Sequence, residues 1–217
     1  MNDIVGAWVE GWTVSRGAAP PVRETWGFTI DVGRPDHVHR HVFGEAADEA
    51  TVRKVAGEVT GSGVWLKVFR DPSVVEPWLG PGWWVDPEPG WLMTTPLTPT
   101  VPTSLAPAPE AAAPEGYTLR SWTRAGVTRV LVAAPDGSFA AGGQTAVTGE
   151  EAVFDQIETS PAHRRRGLGT TVMRALQSAA ATQGARTGVL VGTPVGRALY
   201  ETLGWRTTAT LTSAKKT

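Results

Sequence analysis

An α/β fold is what the patterning of this chain predicts, and three observations carry the prediction. Short apolar runs separated by turn signatures fill the stretch from about residue 117 to 159, and helical spacing begins only after them. A basic, glycine-bearing loop, His163-Arg-Arg-Arg-Gly-Leu-Gly169, stands at that change of period. A proline-rich stretch, Thr94–Pro114, divides this half from a first half of different make-up: eight of the ten tryptophans lie at or before Trp91, and eleven of the 17 prolines fall between Pro72 and Pro114. The expected organisation is a tryptophan-rich α/β region over 1–104, a connector over 105–115 and a second α/β unit over 116–217.

The elements of the second unit follow in order. Tyr117–Trp122 and Val127–Ala134 are expected as strands, the latter closed by Pro135-Asp136-Gly137, where proline presets φ and glycine accepts a positive one. Ser138–Val147 and Glu151–Thr159 complete a meander across Thr148-Gly149-Glu150. Leu168, Val172, Leu176 and Ala179/Ala180 recur at helical spacing. Gly188–Gly192 is a short strand, and a last helix places Val195, Leu199 and Leu203 on one face and stops at Gly204. A strand, a crossover helix and a strand form a right-handed parallel pair, so Glu151–Thr159 and Gly188–Val191 should be parallel neighbours. In the first region Phe28–Val32 and Val64–Phe69 are expected as strands, Glu49–Val59 as a helix with Val52, Val55, Ala56 and Val59 inward, and Pro77–Leu92 as loops or short strands.

Composition excludes several classes of function. A formal net charge of −1 is unsuited to nucleic acid as the main partner, which needs a surplus of lysine and arginine. With no cysteine there is no disulfide, thiol nucleophile or thiolate metal ligand, in keeping with a reducing cytoplasm. No apolar run approaches the ~18 residues of a membrane span, and the first residues lack a secretory pattern, so a cytoplasmic protein is expected. His37, His39 and His41 alternate and would share one strand face, but no carboxylate–histidine pattern accompanies them, and no metal is expected.

The loop itself is an anion receptor. Backbone N–H groups at a helix start have no intrahelical partner and sit at the positive end of the helix dipole. Gly167 and Gly169 let the backbone approach oxygens closely, and Arg164, Arg165 and Arg166 add positive charge.

Arg164-Arg-Arg-Gly167-Leu-Gly169, followed after one helix and one strand by Ala198-Leu-Tyr200-Glu-Thr-Leu-Gly204-Trp205, resembles the two signatures of the GNAT superfamily of acyl-CoA-dependent N-acyltransferases over roughly residues 116–205. The resemblance implies a mixed sheet whose central parallel strands splay apart, and transfer of an acetyl group from acetyl-CoA to the primary amine of a small molecule or peptide. It implies that N–H groups from about Arg165 to Thr170, Leu168 included, hold the pyrophosphate, with help from the Thr170 and Thr171 hydroxyls. Backbone around Ile157–Thr159 would line the thioester, and Tyr200 would be the general acid. Thr193 stands where many members carry an asparagine that contacts the cofactor. A homodimer is compatible with the resemblance.

Two matters stay open on the sequence. An alkylamine must lose a proton before it attacks, and Glu158, Asp155 or a water chain could take it. Strand parity sends the two carboxylates to opposite faces unless a bulge intervenes; the apolar set Val153, Asp155, Ile157 and Thr159 suggests that this face packs on the helices, leaving Glu158 for the site. Only about five residues separate the first two strands of the unit, where family members insert one or two helices. The amine-binding wall must then come from the first region, which is either a separate substrate wall or a worn copy of the same fold. A non-catalytic acyl-CoA-binding module is the alternative function.

Overall fold

In this computed structural model, residues 4–98 and 113–217 are described. The connector expected over 105–115 therefore lies mostly outside the described residues. The chain runs α1 (Ile4–Arg16), β1 (Val22–Glu24), β2 (Gly27–Arg34), β3 (His37–Phe43), α2 (Glu49–Glu58), β4 (Val64–Val68), α3 (Pro72–Val75), β5 (Trp83–Val85) and β6 (Gly90–Pro96). It continues with β7 (Thr118–Arg124), β8 (Val127–Ala133), β9 (Phe139–Thr148), β10 (Glu151–Thr159), α4 (Leu168–Thr182), β11 (Thr187–Gly192), α5 (Pro194–Thr202) and β12 (Arg206–Lys216).

The meander forms as its turn chemistry dictates: β7 and β8 are joined through Ala125 and Gly126, both at positive φ, so no helix intervenes between them. β10 and β11 are parallel, as the crossover through α4 requires. Asp48 starts α2 by accepting a hydrogen bond from Thr51 N at 2.9 Å. Val195, expected inward, is 84% exposed because it lies in the first turn of α5, before the helix meets the sheet.

All twelve strands join one mixed sheet, in the order β1-β2-β3-β4-β12-β6-β11-β10-β9-β8-β7, with β5 beside β12. The two halves exchange strands at its centre. β6, from the first half, pairs antiparallel with β11, and β12, from the second half, pairs antiparallel with β4. The connectivity on either side repeats: β3–α2–β4 is a parallel pair with a crossover helix, and so is β10–α4–β11. Each is followed by a helix, α3 or α5, and then by the exchanged strand, with the short β5 intervening in the first half.

One face of the sheet carries two cores. Leu168, Val172, Met173 and Leu176 of α4 pack with Phe154, Leu190, Tyr200 and Trp205, while Val52, Val55 and Ala56 of α2 pack with Phe43, Leu66 and Val68. The opposite face is covered by α1, whose Val5, Trp8, Val9 and Trp12 meet Phe28, Ile30, Val42, Leu92, Val153 and Val189. These positions follow the i, i+3, i+4, i+7 spacing of one helix face. Gly11 lets the helix come down onto β10, since a Cβ there would fall 2.7 Å from Val153 Cβ. Burying two indoles, at about 150–250 Å² each and about 25 cal/mol/Å², holds α1 with several kcal/mol.

Candidate active site

β10 and β11 stay paired for only three residues, Glu151 to Val153 against Thr187 to Val189. Beyond Val153 the edge of β10 that faced β11 carries no ladder bond, so its backbone donors and acceptors open into the gap. A bulge marks the divergence. Gln156 adopts φ 55°, and pairing with β9 jumps from Asp155↔Gln144 to Glu158↔Gly142. Three residues of β10 thus span two of β9. The extra residue brings Asp155 and Glu158 to one face, the α1 side, instead of sending them to opposite faces. The expected division of β10 is overturned for the same reason: Phe154 and Ile157 both pack into the α4 core, while Val153 and Asp155 face α1.

At the mouth of the gap, Pro161–His163 make one 3₁₀ turn, Arg165 and Gly167 take φ of 62° and 78°, and α4 begins at Leu168. No side chain caps this helix start, and the N–H groups of Leu168, Gly169 and Thr170 have no partner among the described residues. Gly167 faces open space, whereas a Cβ on Gly169 would meet Leu199 Cδ2 at 2.9 Å, so the first turn of α4 rests directly against α5. The Thr171 hydroxyl bonds back to Gly167 O at 3.3 Å. Arg164 reaches Thr159 O at 3.4 Å, and Arg166 donates to the Tyr117 hydroxyl at 3.0 Å. Thr193 caps α5, accepting from Gly196 N at 3.2 Å.

Tyr200 is buried with its ring over Gly192, on the diverging end of β11, and over Gly196. Its hydroxyl has no hydrogen-bond partner among the described residues, and burial, with a smaller contribution from Asp155, pushes the phenol up to about 12. Asp155 is fully engaged. It accepts from Ser15 Oγ at 3.0 Å, from Arg16 through Nε and through Nη2 at 2.8 Å, and from Gln156 N at 2.9 Å. Gln144 fixes Ser15 in turn, donating to its O at 2.6 Å and its Oγ at 2.7 Å. Glu158 is exposed and makes no hydrogen bond or ion pair among the described residues.

Sequence reasoning missed Ser15, Arg16 and Gln144. The spacing of Val5, Trp8, Val9 and Trp12 was the available signal for α1, masked by the weak helix formers Gly6 and Gly11. The three histidines do not form one face: His39 bonds Asp31 at 2.8 Å and His41 bonds Thr29 at 3.0 Å, while His37 turns to Trp12 and Arg40. Among the described residues no cluster of histidine and carboxylate is arranged to hold a metal, and no helix is long and apolar enough to cross a membrane.

A splayed parallel pair with a basic helix start at its mouth agrees with the comparison of the sequence with known families. Residues 98–205 match the model of the acetyltransferase (GNAT) family. Through that segment the chain belongs to the GNAT family. No curated protein matches the sequence. Among solved structures, a GCN5-related N-acetyltransferase from Kribbella flavida is similar over 99% of this chain and 95% of its own, with a TM-score of 0.64 at 17% identity. A GCN5-related N-acetyltransferase-like protein from Streptococcus suis covers 87% of this chain and 82% of its own, with a TM-score of 0.56 at 12% identity. A tandem GNAT protein from the clavulanic acid biosynthesis pathway covers 76% and 67%, with a TM-score of 0.52 at 14% identity. At such identities the likeness is one of fold.

Proposed function

We propose that this GNAT protein transfers an acetyl group from acetyl-CoA to a primary amine by direct attack. The observation that carries the reading is the gap between β10 and β11, bounded at one end by the unpartnered N–H groups of Leu168–Thr170 and walled by Tyr200. Those N–H groups, with Arg164 and Arg165 beside them, would hold the pyrophosphate. The free edge of β10 through Ile157–Thr159 would hold the pantetheine arm and donate to the thioester oxygen. Bound acetyl-CoA supplies the activated acyl carbon and a thiolate leaving group. The phenol of Tyr200, held well above neutrality, keeps a proton to give that thiolate. Thr193 uses one of its two lone pairs to cap α5 and keeps its O–H and one lone pair for a cofactor.

Of the two carboxylates, Asp155 is committed to Arg16, Ser15 and the backbone, and Glu158 is free to act as base, directly or through water. Arg16 and Arg40 lie near Asp155 and act on the same region. Cations there disfavour an ammonium, which helps the acceptor shed its proton. The first half serves as the acceptor wall, through α1, and its topology supports descent from a second copy of the fold. That copy has no donor site of its own: β3 and β4 stay paired from His39/Val64 to Val42/Lys67, and the helix start there reads Gly44-Glu-Ala-Ala-Asp-Glu49, acidic where the other is basic.

Gly169→Val tests the donor site. A branched side chain against Leu199 should displace the first turn of α4 and weaken acetyl-CoA binding by more than tenfold in calorimetry, with the protein still folded by circular dichroism. Unchanged affinity would refute the placement. Tight binding by the wild type with no thiol release on any amine would instead favour an acyl-CoA-binding module.

A further inference from the structure

Arg40 is a buried cation with no bonded anion among the described residues. Its residue is 9% exposed, on β3 beneath α1, with the guanidinium 3.8 Å from the Trp12 ring centroid and 6.0 Å from that of Trp8. Nε donates to His37 Nε2 at 3.3 Å, and neither Nη has an acceptor among the described residues. Lys67, on the adjacent strand β4, bonds only Ser213 Oγ among the described residues, at 2.6 Å, and lies 4.8 Å from the Trp65 ring. His37 stands between the two indoles, 6.3 Å from Trp12 and 5.5 Å from Trp65. The carboxylates that act on this group are Asp36, Asp86 and Asp155, and none bonds Arg40 or Lys67.

A buried guanidinium with unmade hydrogen bonds and no bonded counter-charge is destabilising, and supplying an anion relieves the cost. The charges here repel one another: burial and the neighbouring cations bring His37 down to about 3 and Arg40 to about 9, and push Lys67 well below its usual range. Arg16, which bonds Asp155, lies 5.8 Å from the Trp12 ring centroid, so Arg40 and the Arg16–Asp155 pair meet at one indole, and Asp155 acts on Tyr200 as well.

We propose that Arg40, with Lys67 and His37, binds a carboxylate carried by the acceptor, so that the amines this protein acetylates also bear an acidic group. The two Nη groups provide the planar fork that a carboxylate fits, and the Trp12 face shields the pair from water. The assignment rests on the acetyl-transfer reading above, because it takes α1 and Asp155 to bound the acceptor site.

The test compares 6-aminohexanoate with hexylamine as acceptors, and measures hexanoate binding separately. A preference in kcat/KM of roughly 10- to 100-fold for the amino acid is expected. Arg40→Met should lower that ratio at least tenfold. Lys67→Met should lower it in the same direction, and serves if loss of the Trp12 contact unfolds the first variant. Hexanoate alone should bind the wild type in calorimetry and move the His37 imidazole to higher pKa by NMR. No hexanoate binding at millimolar concentration, with hexylamine acetylated as well as the acid, would overturn the anion site and leave acetyl transfer standing. Hexanoate binding that shifts His37, with no amine acetylated, would overturn the acceptor role and leave the anion site.

Discussion

Replacing Tyr200 with phenylalanine removes one oxygen atom and separates chemistry from packing. The ring would keep its place over Gly192 and Gly196 and its tilted contact with Trp205, at 6.2 Å and 51°. The hydroxyl makes no hydrogen bond among the described residues, so its loss should change the unfolding free energy by less than about 1 kcal/mol. For a chain of this size that is under about 4 °C in melting temperature. A positioned general acid contributes typically ~10²–10⁴ in rate, or about 3–5 kcal/mol of barrier. Tyr200→Phe should therefore lose at least about 100-fold in kcat, with acetyl-CoA affinity nearly unchanged. The absence of cysteine makes the assay clean, because a thiol reagent reports only released coenzyme A. With the phenol held up to about 12, the wild-type rate should climb with pH as the acceptor deprotonates, and should not fall below pH 10. A variant within about threefold of wild-type kcat, or a descending limb near pH 8, would refute Tyr200 as the acid.

Gly11→Ala places a methyl group against Val153 and should lift α1 from β10, costing about 1–3 kcal/mol; a melting temperature lowered by less than 2 °C would show that the helix adapts. His37 has a folded-state value of about 3, below the 6.5 of an unfolded histidine, so unfolded chains take up its proton first as pH falls. Its contribution is complete above pH 6.5 and is lost progressively toward pH 3; because the ring is only partly buried, on the order of 1–2 kcal/mol is at stake. His37→Gln should flatten that part of the urea-denaturation profile between pH 7 and 4.5, and an unaltered profile would remove the imidazole from the account.

Much of the second half was legible because its signals are local. Pro135-Asp136-Gly137 and Thr148-Gly149-Glu150 fix the meander turns, and the apolar spacing from Leu168 to Ala180 fixes α4. The position of Tyr200 followed from the second GNAT signature. The bulge at Gln156 was not legible, since a single positive φ in a polar residue leaves no compositional trace, yet it decides which face Glu158 presents. The burial of Arg40 was not legible either, because nothing in β3 says that an indole from α1 will cover it.

By itself the sequence determined the strand order of the meander, the basic, glycine-bearing helix start and the family, all of which depend on neighbours within a few residues. Only the tertiary structure decided that β6 and β12 change places, that α1 packs against β10, and that Asp155 bonds Arg16 while Glu158 makes no such bond among the described residues. Those outcomes rest on partners far apart in the chain, as when Thr212 donates to the O of Arg70, 142 residues away. Pairing at that range is selected by which buried faces and hydrogen-bonding edges complement each other once the chain is compact, and no local period records it.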